Sequence, residues 1–413
     1  MKNVFTIISV LLAVVGCSSK TDTLTKEKEG YVSFVKDGKS SYSICGPSTL
    51  GSNPRLFSLA IAKATGASMG IKTASDNNSD LEIVLGATKA RTESIQALGD
   101  IQNGYVIKVV GKKLVIAGTD DTWTVLAMED FARTCLSNSE YCHDGTLKLP
   151  KDYSTSKIDD DPQFIARFIK EGRKFTLSAT HVGTVPREGI YTTAQGVASD
   201  GKYVYFTMKG NEDSSSHNSQ CVVYKYTLSP FERVAVSEEF NGHHANDMAF
   251  DTKNNRVLVV NGSGAAAQLT ALDAATLEIS TVTTSLGIGG MTYNPKRNVY
   301  GITQGGKKYQ IADENFAILK DYGRSDGMTG SYTAQGMGSD DSYVYFPMSP
   351  KSGGASDNIL CTYDWDGNHV TELHIDLGME SESMFYAAGK YYVNFYSQAS
   401  KLYVITPLIT FAP

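Results

Sequence analysis

Apolar and polar positions follow three regimes along this chain. Residues 4–15 form an apolar run behind Lys2, too short for the about 20 residues a spanning helix needs. From Gly30 to Ser154, helical and strand periodicities alternate. The spacing predicts a helix over 54–65 (PRLFSLAIAKAT), with Ser52 and Asn53 as cap candidates ahead of Pro54. It predicts a second amphipathic helix over 121–136, capped by Asp120 or Asp121. Residues 31–35 and 41–44 read as a strand pair, 81–86 as a strand, and 104–110 with 114–118 as a hairpin across Gly-Lys-Lys. Helices beside strands in this order predict an α+β sandwich over 30–154, followed by a linker over 155–173.

The third regime, 174–413, is an internal repeat. Residues 193–208 (TAQGVASDGKYVYFTM) return at 333–348 (TAQGMGSDDSYVYFPM), identical at eleven of sixteen positions. Cys221 and Cys361 keep the same offset of 140. Weaker copies anchor on Met248, Met291 and Met384, so successive anchors from Val197 lie 51, 43, 46 and 47 residues apart. Each unit holds a short strand, an Asp, Asn or Gly turn, a Tyr- or Val-rich strand, and two more strands. Four strands in a period of about 40–50 residues is the pattern of a β-propeller blade. Five anchors predict five blades in an all-β C-terminal domain. The last unit stops after three strands near Thr406, and 174–180 reads as an orphan fourth strand. Pairing them would close the ring and leave no open edge. An open β-solenoid is the alternative.

The residue two places before each anchor should line the axis: Gln195, Asn246, Gly289, Gln335 and Glu382. His243, His244, Asp247 and Glu380 lie close by in sequence. Amides and carboxylates together suit a hydroxyl-rich ligand, because amides both donate and accept. The expected ligand-binding set is Gln195, His244, Asn246, Asp247, Gln335 and Glu382. The bland alternative is that these groups satisfy one another and an ordered water. Adjacent His243 and His244 in a strand would point oppositely, which weakens a metal reading with Asp247 or Glu382, and no metal is expected. A catalytic reading would pair Glu382 with Glu380 or Asp247 across a cleft. No glycosidase motif, G-x-S-x-G elbow or Walker loop supports one, so catalytic residues stay unassigned and no cofactor is expected. The polar loops 210–220 and 350–358 are equivalent in the repeat and are candidates for a lid or a partner contact.

Charge and cysteine usage narrow the class. With 44 acidic and 38 basic residues the net charge is −6, which argues against a nucleic-acid partner. The 23 Tyr and 38 Gly lean towards strands and turns. Val14-Val15-Gly16-Cys17 resembles the lipobox of bacterial lipoproteins. That resemblance implies a signal over 1–16, diacylation of Cys17, a tether over 17–29 and a membrane partner reached through lipid. A secretory signal with a chance Cys is the alternative. Cys135 and Cys142 lie seven residues apart and are candidates for a small disulfide loop if thiols are oxidised there. Cys221 and Cys361 read as small buried apolar groups.

The segments LEIVLGATKAR and NGYVIKVVGKKLVIAGTDDTWTVLAMEDFARTCL resemble the small α+β domain that precedes the barrel of β-hexosaminidases and α-glucuronidases. Gly86, Gly104, Tyr105, Ile107, Val115, Ile116, Gly118 and Phe131 carry the resemblance. Thr122-Trp123-Thr124 departs from the family's Gly-containing step. The resemblance implies a non-catalytic domain in a carbohydrate context, and no catalytic residue is carried over. The resulting expectation is a lipoprotein of the bacterial cell envelope, facing the periplasm or the exterior. Its propeller would bind an extracytoplasmic ligand, a glycan foremost, without catalysis. The alternatives are a polysaccharide hydrolase or lyase using axial carboxylates, and a structural module contacting an envelope protein.

Overall fold

The computed structural model describes residues 30–158, 163–210, 220–261, 268–304, 308–324, 331–350, 357–375, 377–409 and 411. The expected signal, Cys17, the tether and most of the loops 210–220 and 350–358 lie outside the described residues. No helix among the described residues is long and apolar enough to cross a membrane.

A six-stranded mixed sheet organises the first half. Its order is Gly70–Thr73, Ser43–Gly46, Glu82–Leu85, Lys113–Gly118, Gly104–Val110 and Ser154–Ile158. The first four strands run parallel, and the hairpin Gly104–Val110/Lys113–Gly118 turns the sheet antiparallel. Helix α1 (Asn53–Thr65) starts with Pro54 in its first turn and stops at Gly66, whose left-handed backbone donates to Ala62 O. A short helix α2 (Thr92–Leu98) follows. Helix α3 (Asp121–Phe131) is capped by Asp120, whose side chain accepts from Trp123 N at 2.9 Å, and it ends in a π-turn, Ala132–Leu136.

Three expectations for this half change. Tyr31–Val35 pairs with Thr146–Pro150 in a separate small sheet, not with the strand that follows it. All five described cysteines are free thiols; Cys135 Sγ lies 3.1 Å from Tyr153 OH, and no Cys135–Cys142 disulfide forms. The segment expected as linker, 155–173, supplies all but the first residue of Ser154–Ile158, the sixth strand of the mixed sheet. It also contributes helix α4 (Phe164–Lys170), whose first five residues are buried.

The second half is all-β and propeller-like. Its first sheet comprises Tyr191–Ser199, Tyr203–Gly210, Gln220–Leu228 and Phe231–Val236; its second, Asp247–Asp251, Arg256–Val260, Gln268–Asp273 and Ile279–Thr283. The third comprises Ile288–Asn294, Val299–Gln304, Lys308–Ala312 and Ile318–Arg324. The fourth comprises Tyr332–Ala334 and Gly338–Ser339 side by side with Tyr343–Pro350, then Asn358–Asp364 and His369–Ile375. The fifth joins Glu380–Ala387, Lys390–Tyr396 and Ser400–Ile409 to Phe175–Val185, with Phe175 opposite Ile409 and Val185 opposite Ser400.

Alternation within strands explains why the sheets stack. Val204, Phe206 and Met208 pack against Phe385, Tyr392 and Leu402 of the fifth sheet, while Tyr205 packs with Met248 and Val257 of the second. In the second copy, Phe346 packs with Tyr309 of the third sheet, while Tyr345 packs with Tyr391 of the fifth. A strand apolar on both faces is a strand with a sheet on either side.

The repeated Asp holds each turn. Asp200 Oδ1 accepts from Lys202 N and Tyr203 N, and Asp340 Oδ1 from Ser342 N and Tyr343 N. The first half shares its core with the fifth sheet: the Phe57 and Phe411 rings meet at 5.7 Å, and Asn53 Nδ2 donates to Pro407 O at 3.3 Å.

Candidate functional site

In four of the five sheets the expected axial positions coincide with breaks in the first strand. Pairing with the second strand slips between Ala194 and Val197, between Ile288 and Gly290, and between Ser381 and Ser383. In the fourth sheet the first strand is split around Gln335, whose N–H still donates to Pro347 O at 3.0 Å. In the second sheet Asn246 directly precedes the strand. Such breaks leave Gln195 and Glu382 out of the ladder, while Gln335 keeps one bond to the second strand.

These first strands pack on one another: Tyr191–Ser199 meets Asp247–Asp251 and Glu380–Ala387, and Asp247–Asp251 meets Ile288–Asn294. Asp247 sits where they converge and has no solvent exposure. Its Oδ2 accepts from Met291 N at 2.9 Å and Met337 N at 2.8 Å, and its Oδ1 from Ser383 Oγ at 2.6 Å. One carboxylate therefore ties the second sheet to the third, fourth and fifth. Burial pushes its pKa up to about 7, against the opposing pull of the Ser383 and backbone donors. Asn246 adds to the same stitch, its Nδ2 donating to Gly289 O and Gln335 O, both at 2.9 Å. The structure thus places Asn246 and Asp247, expected as ligand contacts, in work that holds the strands together.

The glycine of each Gln-Gly pair makes room for this knot. A Cβ on Gly196 would lie 2.4 Å from Met248 Cγ and 2.7 Å from Asp247 C; one on Gly336 would lie 2.8 Å from Glu382 O. Gly196→Ala and Gly336→Ala are each expected to destabilise the protein by about 1–3 kcal/mol through overpacking. Urea unfolding midpoints measure this, and unchanged midpoints would mean the axis has slack.

Other candidates stand further out. Gln335 Nε2 donates to Glu380 Oε1 at 2.5 Å, and burial raises the Glu380 pKa. Gln195 and Glu382 are 9% and 5% exposed, whereas His244 is exposed. His244 Nδ1 lies 3.1 Å from Nζ of Lys209, a lysine only 2% exposed. The turn carrying His244 is strained: His243 and Ala245 both adopt left-handed φ, +51° and +48°, and Ala245 N closes onto Gly242 O at 2.8 Å. His243 and His244 therefore sit in a turn, not on opposite faces of a strand. Lys209 was not among the expected residues, although it is the first residue after the repeated sixteen. Burial lifts the Cys221 and Cys361 thiols to about 12, so neither is a ready nucleophile.

No family model matches this chain, and no curated protein matches it. Among solved structures, it is similar to a chain in the crystal structure of a nidogen/laminin complex. Identity there is 11%, over 57% of this chain and 99% of that chain, with a TM-score of 0.35. It is also similar to Kuenenia stuttgartiensis hydrazine synthase, at 10% identity over 52% of this chain and 59% of that chain, with a TM-score of 0.31. Likenesses this distant carry no functional argument, and the propeller-like fold rests on the sheets themselves.

Proposed function

We propose that the second half is a closed five-bladed β-propeller whose axial mouth binds a hydroxyl-rich extracytoplasmic ligand, a glycan foremost, without catalysis. In this reading Phe175–Val185 closes the ring as the outer strand of the last blade. On the same reading the lipobox-like start and Cys17 make the protein an envelope lipoprotein, and the first half's resemblance to a domain that accompanies glycan enzymes agrees with the ligand class. The observation that carries the reading is the repeated strand break at Gln195, Gln335 and Glu382; in this reading the three side chains face one axis. His244 and Glu380 extend the polar rim. Asn246 and Asp247 support that rim from beneath, their polar atoms taken by the neighbouring sheets.

The test is binding of the full chain to a glycan panel, with and without Gln195→Ala, Gln335→Ala and Glu382→Ala combined. Loss of polar contacts costing about 1–3 kcal/mol each should weaken binding at least tenfold. Binding that survives all three substitutions removes the site. Turnover of a glycan that Glu382→Gln abolishes would make the protein a hydrolase or lyase. Absence of glycan binding with a co-purifying envelope protein would make it an interaction module. Release from the membrane fraction in Cys17→Ala tests the anchor separately.

A further inference from the structure

A second group of chemistry-bearing side chains lies in the fourth sheet, outside the axial set. Cys361, His369 and Glu372 bring a sulfur, an imidazole nitrogen and a carboxylate oxygen within 4.8 Å of one another. They come from the neighbouring strands Asn358–Asp364 and His369–Ile375. Cys361 stands opposite Glu372 across the ladder. His369, three residues before Glu372, would face the other way in a regular strand. The register slips here: Thr362 pairs with Thr371, but Tyr363 pairs with His369, which leaves Val370 as an extra residue. That slip returns His369 to the face of Cys361 and Glu372. The His369 ring then leans on Tyr363 with centroids 5.3 Å apart, and its Nε2 comes to 4.0 Å from Glu372 Oε1.

Spacing and donor type both suit a borderline-soft dication. Zinc bonds of about 2.0–2.3 Å place tetrahedral ligand atoms roughly 3.3–3.8 Å apart, so closure asks for shifts of about 1 Å. His369 and Glu372, at 33% and 42% side-chain exposure, have the freedom to make them and leave a fourth position open to water. Sulfur with imidazole and carboxylate selects zinc over magnesium or calcium, which take oxygen sets. The equivalent cysteine of the first sheet supplies a contrast, because Cys221 stands opposite Phe240.

We propose that Cys361, His369 and Glu372 form a zinc site, with water as the fourth ligand. Binding releases the Cys361 thiol proton to solvent as the S–Zn bond forms, and nothing is oxidised or reduced. The site clips the third strand of the sheet to its outer strand, and it departs from the sequence expectation that no metal is held.

The experiment titrates the metal-stripped full chain with Zn²⁺ alone and with Co²⁺ alone. Expected are one zinc per chain, one proton released, and a cobalt form with thiolate-to-metal charge-transfer absorption. Cys361→Ser should abolish that absorption. It should also weaken zinc binding by more than the about 10–100-fold that loss of an outer-shell partner costs. His369→Gln and Glu372→Gln, at exposed positions, should weaken zinc comparably and keep the proposal testable if Cys361→Ser fails to fold. Cys221→Ser should leave binding unchanged. A cobalt form without the thiolate transition, or zinc affinity untouched by His369→Gln and Glu372→Gln, overturns the site.

Discussion

Replacing Asp247 with alanine is expected to destabilise the protein by about 3–6 kcal/mol, because three buried donors lose their acceptor at once. Met291 N, Met337 N and Ser383 Oγ all point at this carboxylate, which has no solvent exposure. Asp247→Asn should behave differently. An amide oxygen can still accept from the two backbone N–H groups, and the Ser383 hydroxyl can turn to accept from the amide. The pH dependence separates the two effects. Burial raises the Asp247 pKa from 3.8 to about 7, so between those values the folded protein holds a proton that the unfolded chain has released. Stability therefore falls as pH rises through this window, by about 1.4 kcal/mol per unit and on the order of 4 kcal/mol in all, and is flat above it. Asp247→Asn removes that slope. Urea unfolding at pH 4, 5.5, 7 and 8.5 should show the asparagine protein gaining on the native one up to pH 7. A stability difference independent of pH would mean that Asp247 is not a buried titrating group.

This residue also marks how far the sequence could be read. The repeat located Asp247 beside the axis, but not whether its oxygens were spent. Its donors lie on three other sheets, 44, 90 and 136 residues away. The propeller-like order of strands was legible because each unit is local and apolar on both faces, so spacing alone exposes it. Much of the sixteen-residue identity has a packing cause: Gly196 and Gly336 make room beside Asp247, and Asp200 and Asp340 hold turns. The glutamines of that stretch lie at the strand breaks, and Gln335 bonds Glu380. The first half was less legible in pairing than in elements. Tyr31–Val35 finds its partner at Thr146–Pro150, and parallel neighbours are set by crossovers that leave no local mark. Helix α4 is seven residues with an all-round apolar character (FIARFIK), too short for a period to appear. The slip at Val370 is invisible to alternation, which places His369 and Glu372 on opposite faces.

Asp340→Ala should cost about 3–5 kcal/mol, while Asp200→Ala, at the same place in the repeat, should cost about 1 kcal/mol or less. Both carboxylates accept two turn amides through Oδ1. They differ on the other oxygen. Asp340 Oδ2 accepts from Tyr345 OH and Tyr391 OH, both at 2.5 Å, and Asp340 is 4% exposed. Burial holds both phenols well above their usual pKa, so they remain donors over the accessible pH range. Asp200 is exposed, and Tyr205 OH, 3.0 Å from it, has a second acceptor in Ala274 O at 3.1 Å. Water can replace Asp200 at the turn, and Tyr205 keeps a partner. The buried Tyr345 and Tyr391 hydroxyls bond each other as well, but that contact can take only one of their two protons. The Tyr391 ring meets Phe164 of α4 at 5.2 Å and Tyr345 at 5.7 Å, so the loss falls where the two halves share their core. Paired urea titrations of the two variants measure the contrast, and equal losses would show that burial around Asp340 is not what sets its cost. Tyr391→Phe supplies the cross-check: with Asp340→Ala it should cost less than the sum of the two alone, because both remove one hydrogen bond.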